Sequence, residues 1–238
     1  MAKGKGMKGR VIGTGAIILI LLSVFPSVST AQYYGGAQYY GGMYSHYYEA
    51  PYTEANRGSI TPQLLIFFPN RSATGLRGFG AGLGFGLEGR YNFGAYFALA
   101  GELDFIGVSS ATETVAVYDQ FGNFLGYATA TTNFNNFALK LDPLVTIPAG
   151  RVIPFFGAGV VYNNPSLVTW YPGGSYSSIN GAGVGWEAVA GVDFMTTPRG
   201  AVTLKVTVPL SQLAYFNGLG ANMNVGGVGV LIGYRLIL

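Results

Sequence analysis

Apolar and polar residues alternate with a period of two through much of the chain from about residue 58 to its end. The clearest stretches are residues 78–91, 184–194 and 228–238. In the first of these, one face carries Phe79, Ala81, Leu83, Phe85, Leu87 and Tyr91, and the other carries glycines with Glu88 and Arg90. Such alternation is typical of β-strands that have two different faces. It predicts an all-β domain over residues 58–238.

The alternation divides this region into eight predicted strands. They span residues 58–69, 77–91, 96–108, 127–142, 151–162, 183–195, 201–211 and 224–238. Short connections at 92–94, 143–150 and 196–200 alternate with longer ones at 70–76, 109–126, 163–182 and 212–223. Within 109–126, Gly122-Asn123 predicts a two-residue hairpin turn, so two strands extend further there. An even strand number with short turns at one end and long loops at the other is the arrangement of outer-membrane barrels.

Composition decides which face of the predicted barrel points outward. Charged residues are only 10% of the chain, against roughly 25% in soluble domains. A soluble barrel would place its apolar face inside and its glycines and few charges in water, where glycine weakens a strand. The narrow lumen of an eight-stranded membrane barrel suits glycines interspersed with charges. Aromatic residues near the short-turn end also predict a membrane-interface girdle, and they are Tyr91, Phe93, Tyr96, Phe97, Phe155, Phe156, Phe194 and Tyr234.

The first 57 residues differ from the rest. Basic residues precede an apolar stretch at 11–25, then Pro26, and small residues end at Ala31. This order predicts a signal peptide over residues 1–31, the alternative being an uncleaved membrane anchor. Residues 32–57 are rich in Tyr and Gly and repeat Gln-Tyr-Tyr-Gly-Gly, which predicts a flexible periplasmic segment. An aromatic tail that binds a cell-wall polymer or a partner is the alternative.

Ten charged residues fall on the predicted lumen face. They are Glu88, Arg90, Glu102, Asp104, Lys140, Asp142, Glu187, Asp193, Lys205 and Arg235. Buried charges must be paired or solvated, because the desolvation of a lone ion costs several kcal/mol. Two interpretations stay open: an ion-pair network that plugs the barrel, and a narrow polar path gated by rearrangement of those pairs.

The residues offer little support for catalysis or cofactor binding. The chain has no cysteine, which excludes disulfides and thiolate metal sites, and its one histidine, His46, precedes the barrel. A barrel enzyme with a serine nucleophile would need a histidine as its general base, and the predicted barrel region contains none. Residues 84–89 match a dinucleotide-binding fingerprint, but the glycines continue a strand and no helix follows. No enzyme activity, cofactor, metal site or nucleic-acid partner is predicted.

Residues 58–238 resemble the eight-stranded outer-membrane β-barrel superfamily, of the OmpA-transmembrane-domain and OmpW type. The resemblance is carried by Ile-Pro-Phe-Phe-Gly-Ala-Gly-Val at 153–160, by Gly-Val-Asp-Phe at 191–194 and by the last strand. Gly233, Leu236 and Leu238 are similar to the family's C-terminal assembly signal, although Leu238 replaces the usual aromatic residue and Leu231 a common polar one. The resemblance implies insertion by the barrel-assembly machinery, contact with outer-membrane lipid and a location in the outer membrane.

Three functions are compatible with such a barrel. The first is a structural protein or a narrow porin-like channel for small solutes. The second is a surface binding or adhesion module, with an extracellular ligand at the loops 109–126 and 163–182, because loops on a rigid scaffold commonly bind. The third, implied by the OmpW resemblance, is uptake of small hydrophobic molecules, which an apolar pocket in the lumen would favour.

Overall fold

The computed structural model describes residues 56–70, 76, 78–172 and 174–238, apart from the side chains of residues 108 and 109. The predicted signal peptide (1–31) and nearly all of the Tyr/Gly-rich segment (32–57) lie outside the described residues. The described part contains nine strands. They are β1 (Arg57–Pro69), β2 (Gly82–Asn92), β3 (Phe97–Tyr118), β4 (Phe124–Thr146), β5 (Val152–Trp170), β6 (Tyr176–Thr197), β7 (Gly200–Phe216), β8 (Ala221–Asn224) and β9 (Gly227–Ile237). No helix in this part of the chain is long and apolar enough to cross a membrane.

Eight of the strands close into a ring. Each strand from β1 to β6 pairs antiparallel with its successor, and β9 pairs with both β7 and β1. The short β8 pairs only with the far end of β7. The amide of Leu238 donates to the carbonyl of Gly58 over 2.9 Å, so the two ends of the barrel domain meet beside the short turns. The predicted all-β fold with eight antiparallel barrel strands is confirmed.

The break between β8 and β9 lies at the level of a β-bulge in β7. Trp186 of β6 faces Ser211, but the next residue, Glu187, faces Pro209, so one extra residue is inserted in β7. Proline has no N–H group to donate to a neighbouring strand. In the gap between β8 and β9, the amide of Val225 donates to the carbonyl of Gln212 on β7 over 3.0 Å. This hydrogen bond keeps β8 and β9 aligned along β7.

Alternation sorts apolar side chains to the outside of the ring. On β3, the outward apolar positions run for nine residues, from Phe97 to Phe105, which matches the 9–11 residues of a tilted membrane-spanning strand. Outside the lumen, the charged residues of the described part are Arg57, Arg151 and Arg199 at the short-turn end and Glu113 and Asp119 on the β3–β4 hairpin. The outward face of the spanning segments thus carries no charged side chain.

The long connections are the main correction to the predicted strands. Most of the predicted loops 109–126 and 163–182 is strand, because β3 and β4 continue to a turn at 119–123, and β5 and β6 to a turn at 171–175. The two-residue turn at Gly122-Asn123 is wrong: the amide of Asp119 bonds to the carbonyl of Asn123 over 2.9 Å, which closes a five-residue turn. β3 therefore continues for thirteen residues beyond Phe105, roughly 40 Å along the strand at about 3.3 Å per residue.

Two aromatic residues lie on the opposite face from the one predicted. Phe79 is buried rather than outward, because β2 begins only at Gly82 and Gly78 has a φ of 96°, so the alternation does not extend to residue 79. Phe155 is also buried, and it does not belong to the girdle. It and Phe156 are adjacent, so only one of the two can face outward, and that residue is Phe156.

Candidate functional site

The structure places all ten predicted lumen charges inside the barrel. Each is at most 6% exposed. The ten comprise six carboxylates and four cationic groups, contributed by β2, β3, β4, β6, β7 and β9. Ion pairs join nine of them into one continuous chain, which we call the lumen ion network. Asp142 is the tenth, and none of the ion pairs within the described residues includes it.

Two arginines share one aspartate in the first part of the network. Arg90 Nη1 lies 2.8 Å and Arg235 Nη1 2.7 Å from Asp193 Oδ2. Thr203 donates its hydroxyl to the other oxygen of this carboxylate over 2.6 Å. Arg90 also binds Glu88 over 2.9 Å, and its guanidinium carbon lies 4.3 Å from the centre of the Phe155 ring. The inward position of Phe155 thus gives Arg90 a cation–π contact in addition to its two carboxylates.

Two lysines connect the remaining carboxylates. Lys205 Nζ lies 2.6 Å from Glu88 Oε2 and also pairs with Glu102. Lys140 Nζ lies 3.1 Å from Glu102. The same ammonium group reaches Asp104 over 2.8 Å and Glu187 over 3.4 Å. Glu102 therefore bridges the two lysines and makes the network continuous.

Apolar side chains fill the lumen on both sides of the network. A cluster towards the long hairpins, here called the apolar cap, contains Leu65, Phe67, Leu76, Phe79, Ile106, Phe134, Ala214, Phe216, Val225 and Leu231. Towards the short turns, two smaller clusters include Leu144, Phe155 and Ile153. The sequence does not single out the cap, because an apolar side chain is acceptable on either face of a membrane strand. The signal that points to it is the position of Leu65, Phe67 and Phe134 on the inward face of their strands.

The space between the network and the cap is small. It is a cavity of about 20 Å³, and Asn136, Asn163 and Glu187 are among the residues that line it. Asn136 donates its amide to Asn163 over 2.8 Å. A cavity of this size accommodates about one water molecule. It is far too small for a sugar, an amino acid or a bulky apolar solute.

Inward glycines make this dense filling sterically possible. A Cβ at Gly191 would lie 2.6 Å from the carbonyl oxygen of Leu204 and would overlap the Phe155 ring. A Cβ at Gly159 would overlap the Asp142 carboxylate. The glycine periodicity therefore reflects a lack of space in the lumen, as expected for a narrow barrel.

The tip of the β3–β4 hairpin presents aromatic rings to solvent. Tyr118, Phe124 and Tyr127 are each more than half exposed, with ring centres 5.8 Å and 5.1 Å apart in succession. Asp119 supports the turn by accepting hydrogen bonds from Asn123 and from backbone amides. These hydrogen bonds, first among them the one from the Asn123 side chain, lower the pKa of Asp119. On the β5–β6 hairpin, the Trp170 and Tyr176 rings lie 5.2 Å apart.

The remaining predicted residues belong to the last strand. Leu236 and Leu238 face outward and are 49% and 75% exposed, while Gly233 faces the lumen beside Thr61 and Gln63. Leu231 is part of the apolar cap. No group of three or more His, Cys, Asp or Glu side chains within the described residues is arranged to hold a metal ion.

A closed ring of eight antiparallel strands, with an apolar exterior and a charged interior, defines the fold of eight-stranded outer-membrane β-barrels. Comparison with protein-family models and with curated proteins finds no match. Solved structures do match. The outer-membrane protein OprG of Pseudomonas aeruginosa has a TM-score of 0.50 and 14% identity, over 77% of this chain and 96% of OprG.

Two further solved structures are similar to this chain. Neisserial surface protein A has a TM-score of 0.49 and 14% identity, over 75% of this chain and 96% of its own. Ail, the attachment invasion locus protein of Yersinia pestis, has a TM-score of 0.48 and 12% identity, over 77% of this chain and 99% of its own. The similarity to OprG confirms the predicted resemblance at the level of the fold.

Proposed function

We propose that this protein is an integral outer-membrane barrel with a closed lumen, which acts as a structural scaffold. The filling of the lumen carries this proposal. The ion network and the apolar clusters on either side of it occupy the interior, and the cavity between network and cap holds only about 20 Å³. A conducting path would require the ion pairs and the cap to move together. The absence of charge from the outward spanning face supports the membrane location.

The conductance of the purified, folded protein in a planar lipid bilayer tests the closed lumen. We expect no discrete current steps in 1 M potassium chloride. At this salt concentration the Debye length is roughly 3 Å, so exposed charges are strongly screened. Folding and insertion are established separately, by the different gel mobilities of heated and unheated samples and by resistance to protease. Reproducible current steps from a folded, inserted sample would show an open path and contradict the proposal.

The exposed aromatic cluster at the β3–β4 tip favours a second candidate function, binding to another surface. Apolar groups that cluster on a water-exposed surface mark interaction sites more often than single, scattered ones do. Tyr118, Phe124 and Tyr127 stand at the end of a long two-stranded ribbon, well beyond the last outward apolar position of the spanning segment. This position allows contact with a surface outside the membrane.

Attachment of bacteria that display the protein tests this candidate. We expect the variant Y118S/F124S/Y127S to lose most of the attachment to a polystyrene surface that the unchanged protein confers. The matched control, T112S/T114S/T129S, changes three residues of the same ribbon face without removing a ring. Equal attachment by both variants at equal surface expression would rule out the aromatic tip as the binding element.

A further inference from the structure

The outward face of β2–β6 changes character abruptly at the end that bears the long hairpins. One row across the strands is apolar, and it consists of Leu87, Leu103, Leu139, Tyr162 and Val184. The next row is Phe85, Phe105, Phe137, Asn164 and Ala182, by the same register. The row beyond it is Leu83, Gly107, Asn135, Ser166 and Asn180. The third row thus presents amide and hydroxyl groups on β4, β5 and β6, while β2 still carries Leu83.

A groove lies at this step. It has a volume of about 480 Å³ and opens on the outer surface of the barrel. The Phe85, Phe105 and Phe137 rings form its apolar side, with successive ring centres 5.1 Å and 5.0 Å apart. Asn135, Asn164 and Ser166 form its polar side. Gly107 leaves the space between the two sides unfilled, because it has no side chain.

We propose that this groove binds an outer-leaflet lipid with an uncharged, hydroxyl-rich headgroup, that is, a glycolipid. The inference rests on the proposed membrane location. The groove is continuous with the apolar belt, so acyl chains reach its phenylalanine side by default. Acyl carbon packs against these rings about as readily as against other lipid tails, so the apolar side admits a lipid without selecting its headgroup.

The polar side of the groove selects the headgroup. An asparagine amide offers two donors and an acceptor, and a serine hydroxyl offers one donor and an acceptor, a set that complements sugar hydroxyls. Phosphate is usually held by Arg or Lys. None of the described residues in these three rows is charged. A neutral sugar therefore fits this surface better than a phosphate.

Three single substitutions test the site. Gly107→Leu fills the groove, and its Cβ has room, since the nearest atoms are Leu83 O at 3.6 Å and Asn135 Oδ1 at 3.8 Å. Gly101→Leu is the matched control on the same strand and the same face, outside the groove, where a Cβ meets nothing within 4 Å. Asn135→Leu keeps the apolar side of the groove and removes part of its polar side.

The measurement is native mass spectrometry of the full protein, inserted into vesicles of phosphatidylethanolamine that contain some digalactosyldiacylglycerol. We expect the unchanged protein and Gly101→Leu to retain the galactolipid in preference to the phospholipid. Gly107→Leu should retain about tenfold less, equivalent to roughly 1.4 kcal/mol of lost contact. Asn135→Leu should still retain lipid but without preference for the sugar headgroup.

Two results would overturn the glycolipid site. They are equal retention of both lipids by the unchanged protein, and undiminished preference in Gly107→Leu. Insertion is read separately from the gel mobility of unheated samples. A chain that folds in water and does not enter vesicles would overturn both the membrane location and the glycolipid site, whereas an inserted barrel without lipid preference overturns the site alone.

Discussion

Replacement of Lys205 by methionine is expected to lower the free energy of unfolding in lipid by about 3–5 kcal/mol, the usual cost of removing one partner from a buried ion pair. Lys205 is 2% exposed and pairs with both Glu88 and Glu102. Methionine keeps most of the side-chain volume, so the change removes the charge and creates little cavity. Glu88 still pairs with Arg90, and Glu102 still pairs with Lys140. The loss of one cation nevertheless raises the excess of carboxylates over cations in the lumen from two to three.

The double variant E102Q/K205M tests the electrostatic cause of this loss. Glutamine removes the charge that Lys205 compensated, so we expect the double variant to recover part of the stability that K205M loses. Urea titration in phospholipid vesicles, followed by tryptophan fluorescence, measures both variants. A K205M protein within about 1 kcal/mol of the unchanged one would mean that the network contributes little to stability.

Truncation of Phe134 to alanine is expected to destabilise the barrel by about 3–5 kcal/mol. The ring is fully buried in the apolar cap and packs edge-on against Phe79, with 6.1 Å between ring centres. Its loss leaves a cavity, because the barrel wall around it is held by backbone hydrogen bonds and cannot collapse inward.

Phe137→Ala is the matched control, three residues further along β4. Phe137 faces outward and contacts Phe105, so lipid can fill the space that its ring leaves. We expect a loss of roughly 1 kcal/mol, measured by the same urea titration. Equal losses in the two variants would show that the cap is no better packed than the lipid-facing surface. Conductance steps in Phe134→Ala, absent from Phe137→Ala, would identify the cap as part of the barrier in the lumen.

The sequence predicted the ring and its charged interior because both follow from simple constraints. The alternation around Glu88 and Arg90 assigns them to the glycine face, and the cost of exposing a charge to lipid turns that face inward. The same reasoning could not decide between Phe155 and Phe156. Both are apolar, and an apolar side chain is acceptable in lipid and in a dry lumen alike. The apolar cap was missed for the same reason.

The full length of the hairpins escaped prediction for a different physical reason. In residues 110–118 and 124–130, one face of the ribbon is exposed and most of the other face is only half-buried, so the burial contrast that produces a clear alternation is weak. The Gly122-Asn123 pair marked the position of the β3–β4 hairpin, but the predicted turn was three residues shorter than the observed one. The partners within the lumen also needed the structure, since they depend on register: Lys205 meets Glu88 across 117 positions of the chain.

That separation has a consequence for the way the barrel assembles. The Arg90–Asp193 and Lys205–Glu102 pairs each span 103 positions, so no early hairpin can form them. They become available only when β6 and β7 approach β2 and β3, which costs the closure entropy of a long chain segment. A topology dominated by such distant partners folds slowly. Until the ring closes, an inserted half-sheet would expose unmatched charges to hydrocarbon, so ring closure should accompany entry into the bilayer and limit its rate.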